Sequence, residues 1–335
     1  MVDISRPDRR TFLRDSGACL AHLCVLSGFA PLGIVRAFAA TTRGRTVAQE
    51  PWGRIERLEE GVWALVSTPL QDRTTLCNGG IVQGRSAVIA IESYARPEGA
   101  LWLARQARDL TGRWPDAIVL THYHGDHSAG LSGYAVEGAN PVLRSTQRTR
   151  ELVQEQDARR EGEKDTVKER MLAGATLLDA NARATLDLGG RSVRIIPRTG
   201  HTASDVTIEL DDPSIVFCGD LVWNRMFPNY VDASPSLLSR DVRALVRDQM
   251  TTYVPGHGAI ASNDDLRNYI ALLDDVEAAA RGAHEAGSDA AAAAASYRIP
   301  ESLGEWLMFS PRYFETAIAA WLREMRASAR AYATT

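Results

Sequence analysis

Thr121-His122-Tyr123-His124-Gly125-Asp126-His127 packs three histidines and an aspartate into seven residues. It follows directly on the short apolar run Asp116-Ala117-Ile118-Val119-Leu120, which reads as a strand, so the cluster sits where a strand ends. In an extended chain, residues two apart point the same way, which puts His122, His124 and Asp126 on one side of that strand's mouth. His127 is then free to reach a second centre, about 3.5–4 Å from the first in two-metal sites. Gly125 gives the backbone freedom to turn between them. Neutral imidazole and carboxylate donors suit zinc, and also iron or manganese.

Working outward, three further segments place a ligand type beside glycine after an apolar strand. Thr199-Gly200-His201-Thr202 follows the strand at 192–196, Gly219-Asp220 follows 214–218, and Pro255-Gly256-His257-Gly258 follows 252–254. A lone histidine is usually a packed structural residue, and His284, in a helical setting, reads that way. Five in turn contexts at strand ends (His122, His124, His127, His201 and His257) read as ligands. Adjacent glycines let the backbone come close, as a metal pocket requires.

The surrounding pattern alternates strands and helices. Residues 61–66 and 75–82 read as strands, and Gly84-Arg85 turns the chain into a third at 87–91. Residues 97–110 have helical periodicity with Pro97 at the start. A helix begins at 128–134, a short strand lies at 141–143, and the charge-alternating stretch 151–170 reads as one solvated helix. Strands at 192–196, 205–210 and 214–218 follow, the last two joined by a turn at Asp211-Asp212-Pro213. A helix at 237–247 and a final strand at 252–255 close the repeat. This interleaving predicts an α/β fold, an αββα sandwich of two mixed β-sheets with outer helices. From 264 onward the chain reads as a C-terminal helical extension, with an alanine tract at 290–295 and an amphipathic helix at 311–325. The expected organisation is 1–39 as an export signal, 40–51 as a linker, 52–263 as the metal domain and 264–335 as the extension.

Charged residues make up 24% of the 335 residues and the net charge is −4. That balance argues against a nucleic-acid partner, whose phosphates call for a basic surface. The N-terminus has Arg9-Arg10-Thr11-Phe12-Leu13, a moderately apolar stretch at 18–35, then Ala37-Phe38-Ala39. These are the three parts of a secretory signal, and the paired arginines resemble the twin-arginine type, with Asp8 where serine is usual. Twin-arginine export carries folded proteins, which suits a metalloprotein. The expectation is a periplasmic protein with no stable membrane insertion after cleavage, the apolar run being short for a spanning helix and broken by Gly28, Pro31 and Gly33. Cleavage leaves Cys77 and Cys218, read as small buried hydrophobes.

The ordered set T-H-x-H-x-D-H, G-H-T, G-D and G-H-G resembles the metallo-β-lactamase superfamily over roughly residues 52–263. The resemblance implies one metal held by His122, His124 and His201, a second held by Asp126, His127 and His257, and Asp220 bridging them. It implies two zinc ions, a hydroxide between them as nucleophile, and Asp126 as the residue that orients or relays its proton. Glu92, where many relatives carry aspartate, and Thr121 are expected to support the ligands from behind. Asp220 departs from true lactamases, which usually have cysteine or no bridging carboxylate there, and is closer to glyoxalase-type thioesterases and lactonases. The implied activity is hydrolysis of a small-molecule ester, thioester, lactone or lactam. Two other readings keep the motifs: a mononuclear iron enzyme acting on a sulfur compound, and a non-catalytic periplasmic metal-binding accessory protein. Trp223, Phe227 and Tyr230, after the bridging aspartate, are candidates for an apolar substrate pocket.

Overall fold

The computed structural model describes residues 44–333. The export-signal expectation, at 1–39, lies outside them. Two sheets stack face to face. The first has eight strands in sequential order, β1 (Arg45–Glu50), β2 (Gly53–Glu59), β3 (Val62–Ser67), β4 (Gly79–Gln83), β5 (Val88–Ile91), β6 (Ala117–Val119), β7 (Val142–Thr146) and β8 (Thr176–Leu178). Pairing is antiparallel from β1 to β5 and parallel from β5 to β8. The second sheet runs in the order β13 (Thr252–Gly258), β12 (Ile215–Asn224), β11 (Val206–Leu210), β10 (Ser192–Pro197) and β9 (Ala184–Asp187), with only β12 and β13 parallel.

Side-chain alternation explains the layering. Along β3 every residue is buried, but to opposite sides. Val62, Ala64 and Val66 join Ile89, Ile91 and Val119 against Val193, Ile208 and Phe217 of the other sheet. Trp63 and Leu65 point outward to α1 (Pro97–Thr111), which buries Trp102, Leu103, Ala104 and Ala107. The far face of the second sheet, with Val216, Cys218 and Tyr253, is covered by α5 (Pro235–Arg243) and α6 (Asn263–Glu285). Helix, sheet, sheet, helix is the expected αββα order.

The boundaries differ in places. Residues 45–50, expected as linker, form edge strand β1, because a two-residue turn at Pro51-Trp52 folds them back on β2. The strand expected at 75–82 begins only at Gly79, and 151–170 divides into α3 (Gln147–Ala158) and α4 (Thr166–Ala173). In place of a helix at 128–134 there is a one-turn α2 (Gly125–Ser128) and a 3-10 turn at Leu131–Tyr134.

The C-terminal extension packs on the sandwich. A capping box between Ser262 and Asp265 starts α6, whose Leu266, Tyr269, Leu272, Leu273 and Val276 follow helical spacing into the cluster that holds Val222 and Trp223. The alanine tract forms α7 (Ala290–Ser296), and α8 (Tyr313–Ala333) buries Ala317, Ile318, Trp321 and Leu322 on the same cluster. Among the described residues no helix is long and apolar enough to cross a membrane.

Candidate metal centre

At one end of the sandwich two groups of donors converge. His122, His124, His201 and Asp220 form one, and Asp126, His127, Asp220 and His257 the other, each with its donor atoms within 4.8 Å of one another. Asp220 belongs to both. The two expected ligand sets are thus the two groups the fold assembles.

The backbone route corrects the simple alternation argument. The chain is extended through His122 and His124, but at Gly125 it turns into α2, with His124 as the residue before the helix. Asp126 and His127 are therefore helical neighbours, and both swing to the second group. Asp220 and His257 also do not follow their strands: Asp220 is mid-strand and His257 is the next-to-last residue of its strand. Each lies inside a longer strand, β12 or β13, and the pairing of the two is irregular between Phe217 and Trp223. That irregularity lets Asp220 turn into the site while its neighbours stay in the sheet.

The donors fit a cation. His124 Nδ1 lies 3.1 Å from His122 Nε2 and 3.0 Å from His201 Nε2, so three imidazole nitrogens face one point. Asp220 Oδ1 is 3.0 Å from His127 Nε2, and Asp220 Oδ2 is 3.3 Å from His257 Nε2 and 3.4 Å from His201 Nε2. His127 Nε2, His257 Nε2 and Asp220 Oδ1 are buried without a hydrogen-bond partner among the described residues. Buried polar atoms normally have partners. Here they converge on one another instead, as ligands of a shared ion do.

A second layer holds the rings. Glu92 accepts from Thr121 N at 3.3 Å, from the Thr121 hydroxyl, and lies 3.0 Å from His127 Nδ1. Thr121 Oγ1 in turn is 3.0 Å from His122 Nδ1. Glu92 and Thr121 thus stand where they were expected, behind the ligands. Three supports were not read from the sequence. Asp232 Oδ2 lies 2.9 Å from His124 Nε2 and accepts from Tyr123 Oη at 2.5 Å, so Tyr123 reaches the ligand shell through it. Asn78 Nδ2 donates to Pro255 O and Gly258 O, on either side of His257. Asp205 accepts from the backbone N–H of His201 and Thr202 at 3.0 and 2.9 Å. Each lies far in sequence from at least part of what it supports, or acts on backbone rather than on a ring, so local pattern did not single it out.

The field in the site is uneven. Burial lowers the His201 pKa to about 3, against the pull of Asp220. Burial also opposes the charge on His257, but Asp220 and Asp126 lie against that ring and the outcome is a rise to about 9. A metal-free His257 therefore carries a proton at pH 7, below its pKa, and must release it to ligate. Adding zinc to metal-free protein at pH 7 in weak buffer is expected to release at least about one proton per chain. A titration with no acidification would contradict this.

Gly256 shows how tightly the backbone approaches. A Cβ there would lie 1.9 Å from Asp220 Oδ1. Gly256→Ala is expected to displace Asp220 and cost about 10–100-fold in metal affinity, the scale of losing a ligand's support, although no ligand is altered. Competition with a coloured chelator measures it, and affinity equal to wild type would show that the strand yields easily.

The pocket expectation fails, because all three residues are buried. Phe227 and Tyr230 are 0% and 1% exposed and pack in the core under the C-terminal helices, Phe227 against Phe314 at 4.9 Å between ring centroids. They followed Asp220 closely in sequence, but β12 carries the chain away from the site before reaching them. Trp223 is also buried. It pairs with His257 across the β12–β13 ladder and lays its ring on the imidazole, centroids 4.0 Å apart. Cys77 and Cys218 are free and buried, as expected, and Cys77 Sγ donates to Asp126 O.

The sequence model of the metallo-β-lactamase superfamily matches residues 94–257, which span both donor groups. Over that domain the chain belongs to the metallo-β-lactamase superfamily. A hydroxyacylglutathione hydrolase of Acidiphilium cryptum is 25% identical over 226 residues, 67% of this chain and 82% of the relative. Among solved structures, a metallo-β-lactamase from Pontibacter korlensis superposes with a TM-score of 0.54 at 21% identity, covering 66% of this chain and 99% of its own. A stereoselective inverting sec-alkylsulfatase from Pseudomonas sp. superposes with a TM-score of 0.63 at 14% identity, covering 81% of this chain and 50% of its own. These structural likenesses concern the fold. Within the superfamily the chain is a metal-dependent hydrolase.

Proposed function

We propose that the protein is a two-metal hydrolase of small esters, thioesters, lactones or lactams, with zinc at both positions. The observation that carries this reading is Asp220, whose two carboxylate oxygens face the nitrogens of both donor groups. The hydroxyacylglutathione hydrolase relative supports the thioester and ester end of the range. A bound metal pair supplies Lewis acidity and brings the pKa of water towards ~7.

The chain's own residues do the rest. His122, His124 and His201 would hold one position, and Asp126, His127 and His257 the other, with Asp220 common to both. Asp126, about a quarter exposed and 3.3 Å from His257 Nε2, is the ligand carboxylate most open to solvent. It is placed to orient an attacking water and take its proton. Glu92 and Asp232 keep His127 and His124 in the tautomer that presents the inward nitrogen.

The test is a panel of thioester, lactone, ester and lactam substrates run with elemental analysis of the purified protein. Hydrolysis of at least one class, with two metals per chain, is the expected result. One iron and no zinc would overturn it in favour of redox chemistry, and metal binding with no turnover in favour of an accessory role. We further propose a periplasmic location, resting on the Arg9-Arg10 motif. Retention in the cytoplasm of a reporter fused after residue 39 would overturn that.

A further inference from the structure

The five candidate histidine ligands are not held alike. On the nitrogen facing away from the site, His122 meets Thr121 Oγ1, His124 meets Asp232 and His127 meets Glu92. His201 and His257 have no such partner among the described residues, and the Nδ1 of each is buried. The His201 ring meets those of His122 and His124, whereas the His257 ring is enclosed by the rings of two aromatic residues from outside the donor groups. Trp223 lies on it at 4.0 Å between centroids, tilted by 37°, and Phe309 meets it edge-on at 5.9 Å and 82°. Trp223 and Phe309 also touch each other at 6.0 Å.

Phe309 does not belong to the sandwich. It comes from the C-terminal extension, from the strap between the 3-10 turn Glu301–Leu303 and α8. The strap is fastened to the end of β12 by Leu307, which pairs with Met226. Phe227 N donates to Leu307 O at 2.8 Å, and Leu307 N donates to Arg225 O at 3.0 Å. Arg225 Nη1 donates to Leu303 O as well. The extension is thereby tied to the strand that carries Asp220 and Trp223, and it places one ring against a candidate ligand of the second donor group only.

We propose that this strap is a working part of the second metal position: Phe309, with Trp223, fixes the plane of His257 and sets how tightly that position holds its ion. An imidazole turns about its Cβ–Cγ bond unless its neighbours prevent it, and turning moves Nε2 off the metal. Most ligand histidines are held by a hydrogen bond on the other nitrogen, and losing such support costs about 10–100-fold in metal affinity. For His257, edge and face contacts of aromatic rings take that part. Phe309 is thus a positioning residue acting through His257. Occupancy of the second position depends on the docked extension, while that of the first does not. The inference rests on the two-metal reading.

The test uses the full chain loaded with zinc, equilibrated with graded chelator, with bound metal counted by elemental analysis. Phe309→Ala is expected to fall from two metals to one at about 10–100-fold lower chelator than wild type, and to lose the remaining metal where wild type does. Phe309→Leu, which keeps apolar bulk against the ring, is expected to recover most of the difference. Parallel loss of both metals, or no change, in folded Phe309→Ala overturns the inference while leaving the two-metal reading intact. A wild type that never holds more than one metal overturns both. Should Phe309→Ala fail to fold, Trp223→Leu compared with Trp223→Phe probes the same ring from its other face, with the same selective loss expected and the same parallel loss overturning it.

Discussion

Asp220→Ala is expected to empty both metal positions together and to abolish hydrolysis, with activity at least about a hundredfold below wild type, the upper end of what disturbing a ligand's surroundings costs. The reason is geometric. Asp220 is the one residue common to both donor groups, and its oxygens lie 3.0–3.4 Å from His127, His201 and His257 nitrogens. Without that carboxylate the second group keeps one negative charge, and the buried histidines lose the anion that balances a dication. Asp220 is held well below the usual carboxylate range because His257 and His127 outweigh the cost of its burial. The fold should persist, since alanine fits within β12 and the freed imidazoles can stay neutral. Metal content, turnover and the far-ultraviolet circular dichroism spectrum check the three parts. Full activity with one metal retained would refute the shared role.

Glu92→Ala carries the largest expected loss of stability among the residues around the site. Glu92 is 1% exposed and receives the Thr121 N–H, the Thr121 hydroxyl and the His127 ring. Its backbone, at φ 74°, is in the left-handed region that few non-glycine residues occupy. Holding it there costs about 1–3 kcal/mol, which the hydrogen bonds of the side chain and the Tyr134 Oη bond to its carbonyl offset. Removing the carboxylate leaves several buried donors unmet, at about 1–3 kcal/mol each. A loss of about 3 kcal/mol or more in denaturant unfolding of the metal-free protein is expected. A fall of about 10–100-fold in metal affinity is also expected, through His127. Glu92→Gln separates the two effects, because an amide keeps the bulk but does not hold His127 as an anion does. Wild-type metal affinity in Glu92→Gln would show that Glu92 supports the fold alone.

What is legible in the chain is set by the range over which each physical rule operates. Ligand types were legible because each ligand-bearing segment carries a glycine and follows an apolar strand, a signal within a few residues. The layer order was legible because short apolar runs of strand character interleave with helical periods along the chain, each a signal of a few residues. The assignment of Asp126 to the second group was not a matter of period two, since the chain leaves the extended state at Gly125. The substrate pocket read from proximity to Asp220 failed because β12 runs through the site rather than ending there. Phe227 and Tyr230 then follow it into the core.

The amino-acid sequence by itself determined the kinds of donor, the strands that deliver them and the sandwich they belong to, because those depend on spacing along a few residues of chain. Only the tertiary structure decided which donors share a point, that Asp232, Asn78 and Asp205 stand behind them, and that Phe309 of the C-terminal extension lies against His257. Those relations join residues far apart in sequence. They are set by how two sheets stack and where the extension docks, and no local periodicity encodes either.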